Sequence, residues 1–128
     1  MSNRTRNLTF VTAGWMTFVW ITRIRNAADD ATLSSTGRAT AYLLSAACLA
    51  GAATLAIVAA RRGPERLVVA LVIPIVIAHG AIWIIRGTQI LLGDRGVPFK
   101  VVHLLLGLVS VGLAVLVVRS TRRAPVLV

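Results

Sequence analysis

The chain has almost no acid. Its 128 residues hold four carboxylates, Asp29, Asp30, Glu65 and Asp94, and none of them lies within a long apolar run. No pair of carboxylates is therefore set up for general acid–base chemistry. There is one cysteine, Cys48, which excludes a disulfide framework. It stands in an apolar run, where a thiol is expected to be inert. Two histidines, His79 and His103, are too few for a closed zinc site, so no metal is expected. No glycine-rich phosphate loop occurs. Charged residues make up 14% of the chain, where soluble domains carry about 25%. What is present is apolar: 57% hydrophobic residues and a mean hydropathy of +0.83. Disordered chains lack that much hydrophobicity. An integral membrane protein is the class that fits, and no catalytic residue is nominated.

The net charge is +10, from thirteen arginines and Lys100. Nearly all of them stand at the ends of apolar segments: Arg4 and Arg6, Arg23 and Arg25, Arg61, Arg62 and Arg66, then Arg119, Arg122 and Arg123. Long basic side chains at helix ends reach for the headgroup layer. The expected partners are therefore the bilayer and anionic lipid at these basic ends. A nucleic-acid surface would line one face with aromatics between the charges, so nucleic acid is not expected. The preference for arginine over lysine suits a GC-rich bacterial genome.

A spanning helix needs about 20 apolar residues, and the sequence offers four candidates. Residues 39–60 carry no charge, residues 67–85 lie between Arg66 and Arg86, and residues 101–118 lie between Lys100 and Arg119. The first candidate is the shortest, sixteen uncharged residues from 7 to 22. Arginines, an apolar stretch and then Ala27 and Ala28 also have the outline of a secretory signal. Arg23 and Arg25, however, stand where small uncharged residues belong, and Trp15, Phe18 and Trp20 suit an interfacial belt. The expected fold is all-α, a four-transmembrane-helix bundle with both termini on the same side. It forms one domain over residues 1–128, with spans near 8–25, 39–60, 67–90 and 99–118. Gly63-Pro64 and the run from Gly93 to Pro98 mark the last two joints, and Pro74 is expected to kink the third helix. With the termini in the cytoplasm, eight basic residues lie inside and six outside. That bias favours a plasma (inner) membrane protein with cytoplasmic termini, and its small margin keeps dual topology open.

Small residues let helices approach in lipid. Ala47, Gly51, Ala52 and Ala56 of the second segment and Gly107 of the fourth are the expected packing positions. The ionisable groups in or beside the apolar stretches are His79, Arg86 and His103. His79, Trp83 and Arg86 share one helical stripe at i, i+4 and i+7, and His103 and Ser110 share another. Centring the last hairpin between Arg86 and Lys100 sets His103 level with residues 83–87 and His79 level with residues 107–111. These five residues are thus expected to form a polar seam, which is a functional-site hypothesis at membrane depth. The competing reading is a histidine that satisfies one interhelical hydrogen bond, and an arginine that snorkels from a helix ending near Ile85. Two histidines on neighbouring helices also suit axial ligation of a b-type haem. The expected register staggers them by roughly 6–12 Å, so haem is a third reading and no cofactor is expected.

The leading functional expectation is a non-enzymatic accessory subunit or interaction partner, in a homo-oligomer or a larger membrane complex. The alternative is an oligomeric transporter or channel for a small solute or a proton, using the His79/Arg86/His103 seam. In size and weak charge bias the chain resembles the small multidrug-resistance exporters. That family places a glutamate within its first helix, and residues 7–22 contain none. Thr22-Arg23-Ile24-Arg25-Asn26 and Phe99-Lys100-Val101-Val102-His103 resemble the joints of small uncharacterised four-helix membrane proteins of actinobacterial type. That resemblance covers most of the chain and implies the four-helix architecture without an activity.

Overall fold

The computed structural model describes residues 1–122, all-helical and without a strand among them: α1 (Asn3–Asp29), α2 (Ser35–Ala60), α3 (Glu65–Leu92) and α4 (Val97–Arg122). Arg123 lies outside the described residues. The helices begin where the sequence provides caps. Ser2 accepts from the Thr5 amide at 3.1 Å and Ser34 from the Gly37 amide at 3.0 Å, each satisfying a donor that a helix N-terminus leaves free. Pro64 precedes α3 and Pro98 sits in the first turn of α4, positions where a missing amide costs nothing.

The joints are tighter than the sequence suggests. α1 continues past Arg25 to Asp29, leaving residues 30–34 to reach α2. Asp30 turns the chain by accepting from the Thr32 amide at 2.9 Å and the Thr32 hydroxyl at 2.6 Å. Those two bonds, with Arg95 and Arg38 nearby, hold its carboxyl below the usual value of 3.8. At the end of α2, the Arg62 amide donates to Ala59 O and the Gly63 amide to Val58 O, at 3.2 and 2.9 Å. This is the Schellman closure, but the left-handed residue is Arg62, at φ 48°, and not the glycine. Gly63 is required for a different reason: a Cβ there would stand 2.8 Å from Val58 Cγ1.

Inside α3, Pro74 cannot donate to the carbonyl four residues back. The helix absorbs this in a π segment at Val68–Val72, just before the proline, closed by the Ile73 amide on Val68 O. The disturbance expected at Pro74 is thus a widened turn on its N-terminal side.

α1 packs along α2 on one flank and α4 on the other, α3 packs on α4, and the π segment of α3 closes against α2. Three helices, α2, α3 and α4, are long and apolar enough to cross a membrane, which fits a membrane protein. α1 is less apolar, yet its buried stripe runs Thr5, Thr9, Thr12, Met16, Val19 and Trp20. The hydroxyls of Thr9 and Thr12 donate to Thr5 O and Leu8 O at 2.7 and 2.8 Å, so that face is closed to water without losing a hydrogen bond. Met16, Trp20, Leu55, Val72, Val76 and Val117 fill the centre. Large apolar side chains such as Leu43, Ile57, Leu92 and Leu108 also point outward, as on helices bathed in lipid.

Of the expected packing positions, Ala52 and Gly107 are buried, Gly51 and Ala56 half-buried, and Ala47 exposed. A Cβ on Gly107 would stand 3.3 Å from Trp83 Cε3, and one on Gly51 would stand 3.2 Å from Ile75 Cγ2. Gly14 and Gly112 face open space. Gly107→Leu and Gly51→Leu should therefore each destabilise the bundle by about 1–3 kcal/mol through overpacking. Gly112→Leu should leave thermal unfolding in detergent unchanged. A comparable loss at Gly112 would mean that packing within the chain does not decide these positions.

Candidate functional site

The two ends of the described chain meet at one end of the bundle, where Met1, Ser2 and Arg122 line a common cavity. At the opposite, far end a cavity of about 210 Å³ opens between α1, α3 and α4. Its polar lining is Trp20, Thr22, Arg23 and Asn26 from α1, Trp83 and Arg86 from α3, and His103 from α4. Phe18, Val19, Val102 and Leu106 supply apolar walls.

Helix geometry explains the convergence. α1 and α3 both run from the terminal end to the far end, and each carries a tryptophan followed three residues later by an arginine. The segments are Trp20-Ile21-Thr22-Arg23 and Trp83-Ile84-Ile85-Arg86. A spacing of three keeps both side chains on one face, with the arginine almost one turn beyond the tryptophan. Both tryptophans are buried, at 1% and 4% exposure. Among the described residues neither indole Nε1–H has a hydrogen-bond partner, and neither does Arg23 Nε.

The electrostatics are one-sided. The charged neighbour of Arg86 is Arg23, like against like. No carboxylate lines the cavity. Asp30, a counter-charge available on sequence grounds, is committed to Thr32, and Asp29 and Asp94 are exposed. α3 continues to Leu92, so Arg86 is a mid-helix residue and not the terminal snorkeller of a helix ending near Ile85.

The cavity unites three of the five expected seam residues, Trp83, Arg86 and His103. His103 is stacked on Phe99 at 3.9 Å, with Nδ1 2.8 Å from Phe99 O. A carbonyl only accepts, so Nδ1 carries the hydrogen. His79 is not among the lining residues. It is 2% exposed, packs edge-on against Trp20 at 6.2 Å, and leaves Nε2 without a partner. Ser110 belongs to another contact: it accepts from Trp15 Nε1 at 2.8 Å and donates to Leu106 O at 2.8 Å, joining α1 to α4.

The hairpin register corrects the placement of His79. Gly107 faces Trp83, Gly87 faces Leu104, and Gly80 faces Ala114. His79 therefore lies about one turn beyond Ser110. The joint is centred on residues 93–96, nearer the C-terminus than the midpoint of Arg86 and Lys100. His79 and His103 do not line one gap, as axial ligation of a haem by the pair would require. Among the described residues no group of three or more His, Cys, Asp or Glu side chains is placed to hold a metal ion.

Sequence reasoning missed Trp20, Arg23 and Asn26. The signal was present in the repeated Trp-Ile-x-Arg segment, but Arg23 read as a flanking charge because the first apolar run ends there. No family model matches the chain, and no curated protein or solved structure matches it either.

The Trp15–Ser110 bond generates a direct test of the α1–α4 contact. Trp15→Phe and Ser110→Ala should each destabilise the bundle, and a double-mutant cycle on thermal unfolding should give a coupling of about 0.6 kcal/mol, the average for such bonds in membrane bundles. Strict additivity would show that the bond contributes nothing.

Proposed function

We propose that the chain is a four-span protein of the plasma membrane, with cytoplasmic termini, that works by binding and not by catalysis. It would serve as an accessory subunit or interaction partner, in a homo-oligomer or a larger complex. The observation that carries this reading is the far-end cavity, where two arginines and two tryptophans converge, no carboxylate lines the wall, and the Thr22 hydroxyl is bonded to Phe18 O and not to His103. The four-span part is supported by α1. Its satisfied threonines and its position between α2 and α4 suit a helix that crosses with its neighbours. The orientation is supported by charge. Arg4, Arg6, Arg61, Arg62, Arg66, Arg119 and Arg122 gather at the terminal end, while Arg23 and Arg86 of the far end are drawn into the cavity.

A second reading, transport of a small solute by an oligomer, is favoured by one observation. A cavity of about 250 Å³ at the terminal end lies beside the π segment and is lined by Ser2, Thr5, Glu65, Ser120 and Thr121. Two cavities at opposite ends of one bundle are what a carrier would need.

Topology is tested in a Cys48→Ala background. Cysteine at the exposed Ser34 or Gly96 should react with an impermeant thiol reagent on intact cells, and cysteine at the exposed Arg61 only after permeabilisation. Equal labelling at all three would establish dual topology, and the reverse pattern would put the termini outside. The accessory role is tested by purification from native membranes in mild detergent. A stable assembly larger than one chain is expected, and a lone monomer would overturn it.

A further inference from the structure

We infer that the far-end cavity is an oxyanion site, built by the paired Trp-Ile-x-Arg segments of α1 and α3 to hold a phosphate group. The inference deepens the binding role proposed above and rests on it. Arginine and the indole Nε1–H donate and cannot accept, and the cavity joins two of each, beside Thr22, Asn26 and His103, which can do both. Arg23 and Arg86 line the cavity together, like charges with no carboxylate among the lining residues. In a low-dielectric setting that repulsion is costly unless an anion stands in the gap. Trp20 Nε1, Trp83 Nε1 and Arg23 Nε are also buried without partners, whereas most buried polar groups in folded proteins have one. Trp15, by contrast, has its partner in Ser110. Three of the five buried side-chain atoms without a partner among the described residues thus belong to residues that line this cavity; the other two are Ser45 Oγ and His79 Nε2.

The number of donors points to phosphate. One guanidinium fork satisfies a carboxylate, while a phosphate offers enough oxygens for two forks and further N–H groups. The apolar walls point to the carrier of that phosphate. Phe18 and Val102 line the cavity and are 58% and 53% exposed, so its mouth lies on the outer surface between α1 and α4, at the end of the spans where headgroups sit. A phosphate borne on a lipid could enter there with its chains along the bundle. A free phosphate would share the same donors and leave the walls uncovered.

The test uses the full-length protein purified in a neutral detergent, with tryptophan fluorescence and the melting temperature as readouts. Both are independent of membrane sidedness and of partner subunits, so a failure of topology or assembly is distinguishable from a failure here. The probes are phosphatidic acid, inorganic phosphate and oleate. Phosphatidic acid should bind saturably and raise the melting temperature. Arg23→Gln and Arg86→Gln should each weaken it at least tenfold, and Arg23→Lys and Arg86→Lys, which keep the charge and lose the fork, should weaken it less. Arg25→Gln and Arg95→Gln, exposed residues outside the cavity lining, should leave it unchanged. Equal affinity for inorganic phosphate would retain the oxyanion site and assign it a soluble source. Oleate binding as tightly as phosphatidic acid would replace phosphate by carboxylate and overturn the assignment. So would equal losses at all four arginines, the mark of a diffuse basic surface, or the absence of saturable binding. Melting curves without ligand separate a lost site from a lost fold.

Discussion

In a bilayer there is no water to satisfy a backbone or side-chain polar group, so each must find its partner within the protein. The threonines of α1 meet that requirement, while Trp20 Nε1 and Arg23 Nε of the same helix have no partner among the described residues. Thr9, Thr12, Thr17 and Thr22 each return their hydroxyl to the carbonyl one turn back, at 2.7–2.8 Å. A threonine bonded in this way presents mainly its methyl group to a neighbour. α1 can then be enclosed between α2 and α4 despite having the lowest apolarity of the four helices. The rest of the architecture depends on this, because α1 holds the two helical hairpins together and supplies Trp20 and Arg23 to the far end.

The two hairpins follow one plan. In each, the helix running toward the far end carries Trp-Ile-x-Arg, and a basic residue in the first turns of the next helix reaches back to cap it. Arg38 Nε donates to Ala27 O and Arg38 Nη2 to Asp30 O, at 3.1 and 2.8 Å; Lys100 Nζ donates to Leu91 O at 3.0 Å. A cation at a helix C-terminus satisfies free carbonyls and complements the helix dipole. The plan is not carried into the other details. Among the described helices α3 alone contains a π segment and an interior proline, Pro74, and α4 alone supplies a histidine to the cavity.

Much of this was legible in the sequence, and the failures have physical causes. Runs without charge located α2, α3 and α4 closely, since an apolar stretch of that length has few other uses. α1 was read short because Arg23 and Arg25 were taken as a boundary, although the helix continues for another turn. Arg86 raised the same question, and there the structure favours the interior reading. The register of the last hairpin was misplaced by about one turn because charges were used to find its centre. The breakers Gly93 and Gly96 mark it better, since backbone geometry decides where a helix stops. His79 and Ser110 are both buried, and one sequence could not say that Trp20 and Trp15 would be their neighbours. Those contacts cross from α1, and helical periodicity describes only one helix at a time.

The charge count also changes meaning once side chains are placed. By sequence the far end holds six basic residues, nearly matching the terminal end, and the orientation signal looks weak. Arg23 and Arg86 line a cavity, while Arg38 and Lys100 are turned onto the C-terminal carbonyls of α1 and α3. Arg25 and Arg95 remain as freely exposed cations there, and Arg95 lies 5.0 Å from the centre of the Phe99 ring. Positive-inside bias arises from basic residues close to the span ends that resist translocation, and the mature contacts do not remove their charge during insertion. They do show four of the six far-end cations engaged at fixed places. At the terminal end Arg6 donates to Ala59 O at 3.3 Å and Arg62 to Asn3 Oδ1 at 3.4 Å, while Arg4, Arg61, Arg66 and Arg119 are exposed. Of the far-end arginines, Arg23, Arg38 and Arg86 belong to the architecture and to the cavity.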